Sequence, residues 1–258
     1  MNPLIFGESR ADAENYDRLR PRYTPALFEA VLGYAGNAAG GDALEVGVGA
    51  GEATEPFLRA GWRVTAVEIN AGFAAYAARK FRAYPGFSVV RDDFARFPGR
   101  AGGCDLLYSA TAFHWIPEEI AYPRARRLLR PGGALALFWN HPFVGRAGDP
   151  VHCALRKAYA AWYPGGGRAP AEFDGSACEE KIRRLMRCGF TQTAARLFHA
   201  ERELDAAGYL ALLNTYSDHR ALPREAKDGL ERAVREAIDE NGGRIRIYDT
   251  MDLYLARV

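Results

Sequence analysis

Short apolar runs alternate along the chain with longer segments of helical periodicity. Each run is bounded by turn residues and has the length of a buried strand, whereas the segments between the runs repeat apolar residues at helical spacing. Strands are predicted over residues 43–48, 62–69, 87–91, 104–109 and 134–139. Five strands that alternate with helices in this way predict a parallel, doubly wound α/β sheet.

Helices are predicted before and between these strands. Thr24 and Pro25 form an N-cap and first-turn pair for a helix over 26–35, and residues 1–42 as a whole are predicted as a helical approach to the sheet. Further helices are predicted over 52–60, over 71–82 and in a segment that carries residues 124–130. A proline inside a helix removes a hydrogen bond and costs about 3 kcal/mol, so the last helix is expected to begin near Pro123 or to kink there.

The pattern changes after Trp139. Residues 141–175 hold four prolines and many glycines without a strand signal, and 150–162 is their one helical piece. Long irregular insertions in compact domains usually serve as lids or binding segments, so a cap is predicted here. The expected elements beyond it are a helix over 177–188, a strand near 191–202, an amphipathic helix after Pro223 and a final strand over 245–256.

The composition is that of an ordinary globular protein. Of 258 residues 48% are hydrophobic and 26% charged, and the formal charge of +2 is too small for a general nucleic-acid or anionic-membrane surface. No apolar run approaches the roughly 20 residues needed to cross a bilayer, and no secretory apolar core is found, so a cytoplasmic location is expected. We expect a small-molecule partner, no nucleic acid or membrane, and a monomer or homodimer.

The cysteines and histidines do not predict a metal site. The four cysteines lie far apart and include no Cys-x-x-Cys pair, which indicates neither a zinc site nor a disulfide framework. His141, His152 and Cys153 could be drawn together as a cluster, but no second spaced pair of ligands lies nearby. We therefore predict that no metal is bound.

The most informative motif is a set of glycines at alternate positions, Gly47, Gly49 and Gly51, at the end of the first predicted strand. A buried strand, a tight turn and a helix N-terminus let backbone amides approach a nucleotide-like ligand closely. A dinucleotide fingerprint needs its third glycine where this chain has Glu52, whose carboxylate would repel a pyrophosphate. Glu45 likewise suits a ligand with positive charge. S-adenosylmethionine has a sulfonium, an ammonium group and no phosphate, and it fits both acids.

Two further acidic positions support a nucleoside ligand. Glu68 ends the second predicted strand 19 residues after Gly49, close to the roughly 20 at which an acid meets ribose hydroxyls in βαβ units. Asp92, Asp93 and Phe94 follow the third strand, where an acid can accept the adenine amino group while an aromatic ring covers the base. Which aspartate makes that contact is left open, and a plain polar turn is the alternative.

These motifs occur in the order found in class I S-adenosylmethionine-dependent methyltransferases, which the chain resembles over residues 10–140. The resemblance rests on the glycine motif, Glu68, the Asp92-Asp93 pair, the Cys-Asp-Leu-Leu-Tyr-Ser-Ala run and the Leu-Leu-Arg-Pro-Gly-Gly run. The segments 16–23 and 112–116 are similar to the branch around trans-aconitate methyltransferase. In that branch the first segment is part of a lid over the site, and the second lies beside the cofactor.

The resemblance implies a Rossmann-like sheet of seven mostly parallel strands with an antiparallel last strand. It also implies S-adenosylmethionine as cofactor and S-adenosylhomocysteine as product. The expected organisation is a single methyltransferase domain over 1–258, composed of lid helices (1–42), a cofactor-binding core (43–140), a cap (141–176) and a C-terminal part (177–258).

The predicted site residues divide into cofactor and substrate contacts. The cofactor contacts are Glu45, Gly47, Gly49, Gly51, Glu68, Ile69, Asp92, Asp93, Phe94, Ser109, Tyr16 and Arg20. The substrate contacts are Trp115, Arg22, Tyr23 and Trp139. Arg20 and Arg22 could meet a carboxylate of either the methionyl tail or an acidic substrate, with surface ion pairing as the alternative.

The expected reaction is methyl transfer to a small molecule, with a carboxylate or hydroxyl oxygen as acceptor. His114 is the candidate general base because its ordinary pKa lies near neutrality, although a packed wall of the cofactor site is the favoured interpretation. A protein that binds S-adenosylmethionine without turnover is an open alternative. An NAD-type oxidoreductase is disfavoured by Glu52 and by the lack of a Tyr-x-x-x-Lys pair.

Overall fold

A computed structural model describes residues 10–36, 40–166 and 171–258. Seven strands form one sheet in the order β3-β2-β1-β4-β5-β7-β6. The strands are β1 (Asp42–Val46), β2 (Arg63–Glu68), β3 (Phe87–Arg91), β4 (Cys104–Ala110), β5 (Leu129–Phe143), β6 (Thr191–Leu204) and β7 (Ile245–Arg257). Strands β1 to β5 are parallel, and β7 pairs antiparallel with both β5 and β6. The predicted fold class, including the antiparallel last strand, is confirmed.

Helices cover both faces and the carboxyl edge of the sheet. They are α1 (Arg10–Leu19), α2 (Pro25–Ala35), α3 (Thr54–Arg59), α4 (Ala71–Lys80), α5 (Glu118–Leu128), α6 (Pro150–Trp162), α7 (Ser176–Arg187), α8 (Ala206–Leu213), α9 (Ser217–Arg220) and α10 (Arg224–Asp239). Pro25 starts α2 as predicted, because its missing N–H is one that the first helical turn leaves unused. Residues 1–9 of the predicted lid and 167–170 of the predicted cap lie outside the described residues.

The residues of β5 show how the sheet divides the core into two layers. Ala134, Ala136 and Phe138 join the cluster that contains Phe57 and Tyr108, on the side of α2 and α3. Leu135, Leu137 and Trp139 join the cluster under α5 and α7. Successive side chains of a strand point to opposite faces, so a continuous apolar run is what a doubly covered strand requires. A third cluster packs α6, α8 and α10 together beside the sheet.

Two element predictions differ from the structure. Helix α5 begins at Glu118 and passes through Pro123, so the prediction that it begins near the proline is wrong. Tyr122 and Ala125, next to the proline, are buried against the sheet, and this packing compensates for the missing hydrogen bond. Strand β5 continues to Phe143, so the predicted cap starts with strand residues that pair with β7. The helix expected over 150–162 is present as α6.

Candidate functional site

A cavity of about 650 Å³ opens at the carboxyl ends of β1, β2 and β4. The chain proceeds outward from β1 in one direction to β2 and β3, and in the other to β4 and β5, so this is the point where the strand order reverses. Ligands of open α/β sheets bind at such switch points. The loop after β1 forms the floor of the cavity. Tyr16 and Arg20, from the N-terminal segment, form part of its wall.

The glycine loop has a conformation that needs glycine at two positions for both backbone and space. Gly47 has φ +75°, and a Cβ there would lie 2.5 Å from the Cβ of Ala112. Gly51 has φ +82°, and a Cβ there would lie 2.4 Å from the ring of Phe81. L-residues rarely adopt such φ values, so both turns depend on glycine. Gly47 and Gly49 line the cavity, whereas Gly51 supports the turn from behind.

Glu68 stands at the end of β2 on the edge of the cavity. Its Oε2 accepts a hydrogen bond from the N–H of Gly49 at 3.0 Å, and its Oε1 accepts one from the N–H of Asn70 at 2.8 Å. Burial raises the pKa of this carboxyl, and the backbone hydrogen bonds act against that shift. Each carboxylate oxygen has a second lone pair, so the fixed group can still accept two hydroxyls from a ligand.

The turn after β3 reaches the same part of the cavity. Asp92, Asp93 and Phe94 all line it, as does Ile69 from the end of β2, which is 39% exposed. One oxygen of Asp92 accepts the N–H of Asp93 at 2.8 Å, and one oxygen of Asp93 accepts the N–H of Ala95 at 2.9 Å. These bonds fix the turn. The residues predicted for ribose and adenine therefore lie together around one end of the cavity.

Glu45 does not line the cavity, which corrects the interpretation of this acid as a ligand contact. Its side chain is 1% exposed, and its Oε2 accepts hydrogen bonds from the hydroxyls of Thr54 at 2.7 Å and Tyr108 at 2.9 Å. Burial raises its pKa to about 8. Glu45 therefore ties β1 to the start of α3 and to β4 inside the core.

Arg20 forms part of the cavity wall in a fixed orientation. Its guanidinium carbon lies 4.5 Å from the ring centroid of Tyr16 and 4.4 Å from that of Tyr216, and one Nη donates to the carbonyl of Thr215 at 2.9 Å. Its Nε is buried and has no hydrogen-bond partner within the described part of the chain. A cation held between two rings with an unused donor is suited to a ligand carboxylate.

Glu52 also lines the cavity, although the sequence interpretation used it only to exclude a dinucleotide. Burial raises its pKa to about 7. Its Oε1 is buried without a hydrogen-bond partner among residues 10–36, 40–166 and 171–258. The contribution of Glu52 to the cavity could have been inferred from its position directly after the glycine motif.

Asp17 fastens the N-terminal helix to the core. Its carboxylate accepts hydrogen bonds from the Tyr76 hydroxyl at 2.8 Å, the Lys80 ammonium at 2.8 Å and Arg22 at 2.7 Å. Arg22 is thereby directed to Asp17 and does not line the cavity, which corrects its predicted substrate contact. Tyr23 does line the cavity, and its hydroxyl is 2.6 Å from the Oγ1 of Thr111.

His114 and Trp139 lie beside the cavity and do not line it. The structure thereby corrects the predicted substrate contact of Trp139, and it places His114 as a side chain packed against Trp139. The Nε1–H of Trp139 donates to Nδ1 of His114 at 2.9 Å, and the Lys181 ammonium lies 3.2 Å from the Trp139 ring centroid. Desolvation, and then the charge of Lys181, lower the pKa of His114. Trp139 points to the α7 face because of the pleat of β5. Trp115, in contrast, lines the cavity and is 46% exposed.

Ser109 is the last predicted contact that the structure places elsewhere. It is fully buried, and its hydroxyl donates to the carbonyl of Val46 at 2.7 Å, so it joins β4 to β1. Ala110 and Thr111, the next residues, reach the cavity instead. In the described part of the chain no group of three or more His, Cys, Asp or Glu side chains is placed to hold a metal ion. No helix there is long and apolar enough to cross a membrane.

The fold and the cavity together define an α/β domain built for a nucleoside-containing ligand at its switch point. Residues 44–137 match the family model described as a methyltransferase domain. An uncharacterized methyltransferase of Mycobacterium tuberculosis is 31% identical over 149 residues, which are 53% of this chain and 58% of the relative. The chain thus spans little more than half the length of that curated relative. An uncharacterized methyltransferase of Schizosaccharomyces pombe is 24% identical over 91% of this chain and 88% of its own.

A solved structure from Anaeromyxobacter dehalogenans, a candidate type II methyltransferase, has the same fold. Its TM-score is 0.65 at 21% identity, covering 92% of this chain and 97% of that chain. The chain is thus similar to methyltransferases over residues 44–137, and it shares the fold of this solved structure over most of its length. The narrower resemblance to the trans-aconitate branch stays a prediction.

Proposed function

We propose that this protein transfers a methyl group from S-adenosylmethionine to a small molecule. The observation that carries the proposal is the charge of the cavity. Its described lining holds the carboxyl groups of Glu52, Glu68, Asp92, Asp93 and Asp218 and a single guanidinium, that of Arg20. A pyrophosphate would meet Glu52 at the glycine loop, whereas a cationic, phosphate-free nucleoside meets favourable charge.

The residues around the cavity fit the parts of S-adenosylmethionine one by one. Glu68 is fixed to accept the two ribose hydroxyls, and the turn 92–94 can accept the adenine amino group beside the apolar side chain of Ile69. Arg20 and Glu52 carry the buried Nε and Oε1 atoms that lack partners in the described structure, and they would hold the carboxylate and the ammonium of the methionyl part. When bound, the cofactor supplies an electrophilic methyl carbon on a positively charged sulfur.

The contribution of the chain to the reaction is positioning and the exclusion of water. Tyr16 and Tyr23 close the cavity from the N-terminal segment, and the hydrogen bonds of Asp17 hold that segment against α4. Methyl transfer to a nucleophile removes the charge of the sulfonium, so alignment in a site shielded from water can supply much of the acceleration. His114 is not required in this scheme, because it stands outside the cavity wall.

We propose an oxygen acceptor, in line with the sequence, and a hydroxyl in preference to a carboxylate. A carboxylate acceptor needs a cation for recognition. The one cation of the described lining is Arg20, which the methionyl carboxylate would occupy. A methyl-acceptor screen with radiolabelled S-adenosylmethionine tests turnover and identifies the acceptor.

Thermal unfolding with S-adenosylhomocysteine and with NAD tests the cofactor assignment. A ligand at about 100 times its dissociation constant stabilises the folded protein by roughly 2.7 kcal/mol. We expect an upward shift of the melting temperature with S-adenosylhomocysteine and none with NAD. A shift with NAD alone would overturn the proposal.

A further inference from the structure

Asp218, in α9, lines the cavity near Tyr216, away from the turn that holds Asp92 and Asp93. The short helix lies between α8 and α10 in the chain. Because ribose, adenine and the methionyl part have partners elsewhere, this carboxylate is left for the acceptor substrate.

The Asp218 carboxylate is held in one orientation. Its Oδ1 accepts the backbone N–H of His219 at 2.9 Å and lies 3.0 Å from the His219 Nδ1, and its Oδ2 accepts the Tyr163 hydroxyl at 3.2 Å. The Nε2 of His219 is 2.7 Å from the Tyr159 hydroxyl. If that hydroxyl donates to Nε2, then Nδ1 carries the proton and donates to Asp218, so neutral histidine satisfies both bonds. The hydrogen bond from His219 lowers the pKa of Asp218 and keeps it ionised at neutral pH.

Asn140 also lines the cavity, and its side chain carries a second hydrogen-bond acceptor. Its Nδ2 donates to Asp249 at 2.7 Å, which directs the amide, and Asp249 is itself fixed by Arg202 at 2.6 Å. The Asn140 Oδ1 is buried and has no partner within the described residues. A buried acceptor without a donor is unfavourable, and a ligand N–H would satisfy it.

Within the described lining, no cation is free to compete for these two acceptors. Arg202 is engaged by Asp249, and Arg20 is held between Tyr16 and Tyr216. The exposed ring of Trp115 lines the same cavity, and its π-face attracts cations. Each of these three features, the ionised carboxylate, the unpaired amide oxygen and the open indole ring, favours the same chemical group, a protonated amine with several N–H donors.

We infer that the acceptor substrate carries a protonated amino group, bound by Asp218 and the Oδ1 of Asn140 beside the ring of Trp115. This inference rests on the proposed function, because it assigns the rest of the cavity to the cofactor. It concerns the charge by which the substrate is recognised. The inference predicts that a free carboxylic acid without an amino group binds weakly.

Calorimetric titration of the protein saturated with S-adenosylhomocysteine tests the inference with three matched probes, 2-phenylethylamine, 2-phenylethanol and 3-phenylpropanoate. We expect the amine to bind at least tenfold tighter than the alcohol or the acid. Asp218→Asn should weaken amine binding about tenfold, because the variant loses the charge that strengthens the hydrogen bond to the ammonium. The alcohol should bind the variant as it binds the parent protein, and the acid should bind it equally well or more tightly.

Asp228→Asn is the matched control, since Asp228 is an exposed acid of α10 in an ion pair with Arg224. It should leave binding of the amine unchanged. Amine binding no tighter than that of the alcohol, or unaffected by Asp218→Asn, overturns the inference, and this includes the case in which none of the probes binds. Folding of the variant is checked by its affinity for S-adenosylhomocysteine, and failure of the parent protein to bind that nucleoside instead refutes the proposed function.

Discussion

The carboxylate of Glu68 accepts a hydrogen bond from the backbone N–H of Gly49 at 3.0 Å, across 19 residues of the chain. One acid therefore holds the glycine loop in place and lines the cavity to which that loop belongs. The spacing of 19 residues has a physical origin, because α3 and β2 bring the chain back beside β1 after one helix and one parallel strand. Loop shape and ligand recognition are coupled through this pair.

Replacement of Glu68 should abolish cofactor binding. Glu68→Ala removes the acceptor for two ribose hydroxyls and for the N–H groups of Gly49 and Asn70. At about 1.5–3 kcal/mol for each charge-assisted hydrogen bond, the loss is at least a hundredfold in affinity for S-adenosylhomocysteine. Calorimetric titration measures it, and Glu55→Ala, an exposed acid of α3, is the control. Unchanged affinity of Glu68→Ala would refute the ribose assignment.

Arg20 and Glu52 should discriminate between analogues of the methionyl part. Arg20→Met is expected to lower the affinity for S-adenosylhomocysteine about tenfold, and to leave unchanged that for the analogue without the carboxylate. Glu52→Gln should lower the affinity for S-adenosylhomocysteine and leave unchanged that for the analogue without the amino group. Each prediction follows from a buried atom that lacks a partner in the described structure, the Nε of Arg20 and the Oε1 of Glu52.

The design contains its own controls, because each variant is tested with the analogue that lacks the group which the replaced side chain would bind. If a variant weakens both ligands equally, the side chain supports the cavity wall without contacting the methionyl part.

Glu45 should make the protein less stable as the pH rises from about 4.5 to about 8. Burial raises its pKa from 4.5 to about 8, so between these values the folded state binds the proton and the unfolded state releases it. The free energy of unfolding therefore falls with pH across that window. Glu45→Gln keeps an acceptor for Thr54 and Tyr108 without the titration. Urea unfolding at pH 5 and pH 8 measures the free energy of unfolding of both proteins. The variant should become more stable relative to the parent protein at pH 8, and an equal difference at both pH values would contradict the raised pKa of Glu45.

The strands and the glycine loop could be predicted because their signals are local. The apolar runs have strand length, and Gly47 is needed by its own backbone angle and by its contact with Ala112. The face on which a side chain lies was harder to predict. Glu45 precedes the loop by two residues, yet its carboxylate lies in the core next to Tyr108. The sheet is covered on both faces, so residue type alone does not show which face of a strand borders the ligand.

Of the contacts that distant segments make with the cavity, those of Tyr16, Arg20 and Tyr23 were predicted, whereas those of Asp218 and Asn140 were not. Asp218 and Asn140 reach the cavity from α9 and β5, and no local pattern in either segment indicates this. The contact between Arg20 and the ring of Tyr216 could not be predicted either, because Tyr216 lies almost 200 residues later in the chain, as the numbering shows. Packing of the third cluster, between α6, α8 and α10, holds Tyr216 at the cavity.

His114 should be dispensable for methyl transfer. It lies outside the cavity wall, and its Nδ1 is occupied by the Trp139 N–H at 2.9 Å. With the first acceptor identified in the screen, His114→Ala is expected to keep kcat within about threefold and to leave the affinity for S-adenosylhomocysteine unchanged. A general base contributes roughly 10²–10⁴-fold, so the two roles are well separated. Lost turnover with intact cofactor binding would restore the histidine as the base.

Gly47→Ala should disrupt the cofactor loop, and the double variant with Ala112→Gly should restore part of the loss. The new Cβ would lie 2.5 Å from the Cβ of Ala112, and φ at this position is +75°. Removing the Ala112 methyl relieves the contact, whereas the backbone strain of about 1–2 kcal/mol remains. Urea unfolding and titration with S-adenosylhomocysteine should both rank the proteins as parent, double variant, Gly47→Ala. Ala112→Gly alone controls for the effect of the second glycine. If the double variant recovers neither stability nor affinity, the loop depends on the backbone angle of Gly47 and not on its close approach to Ala112.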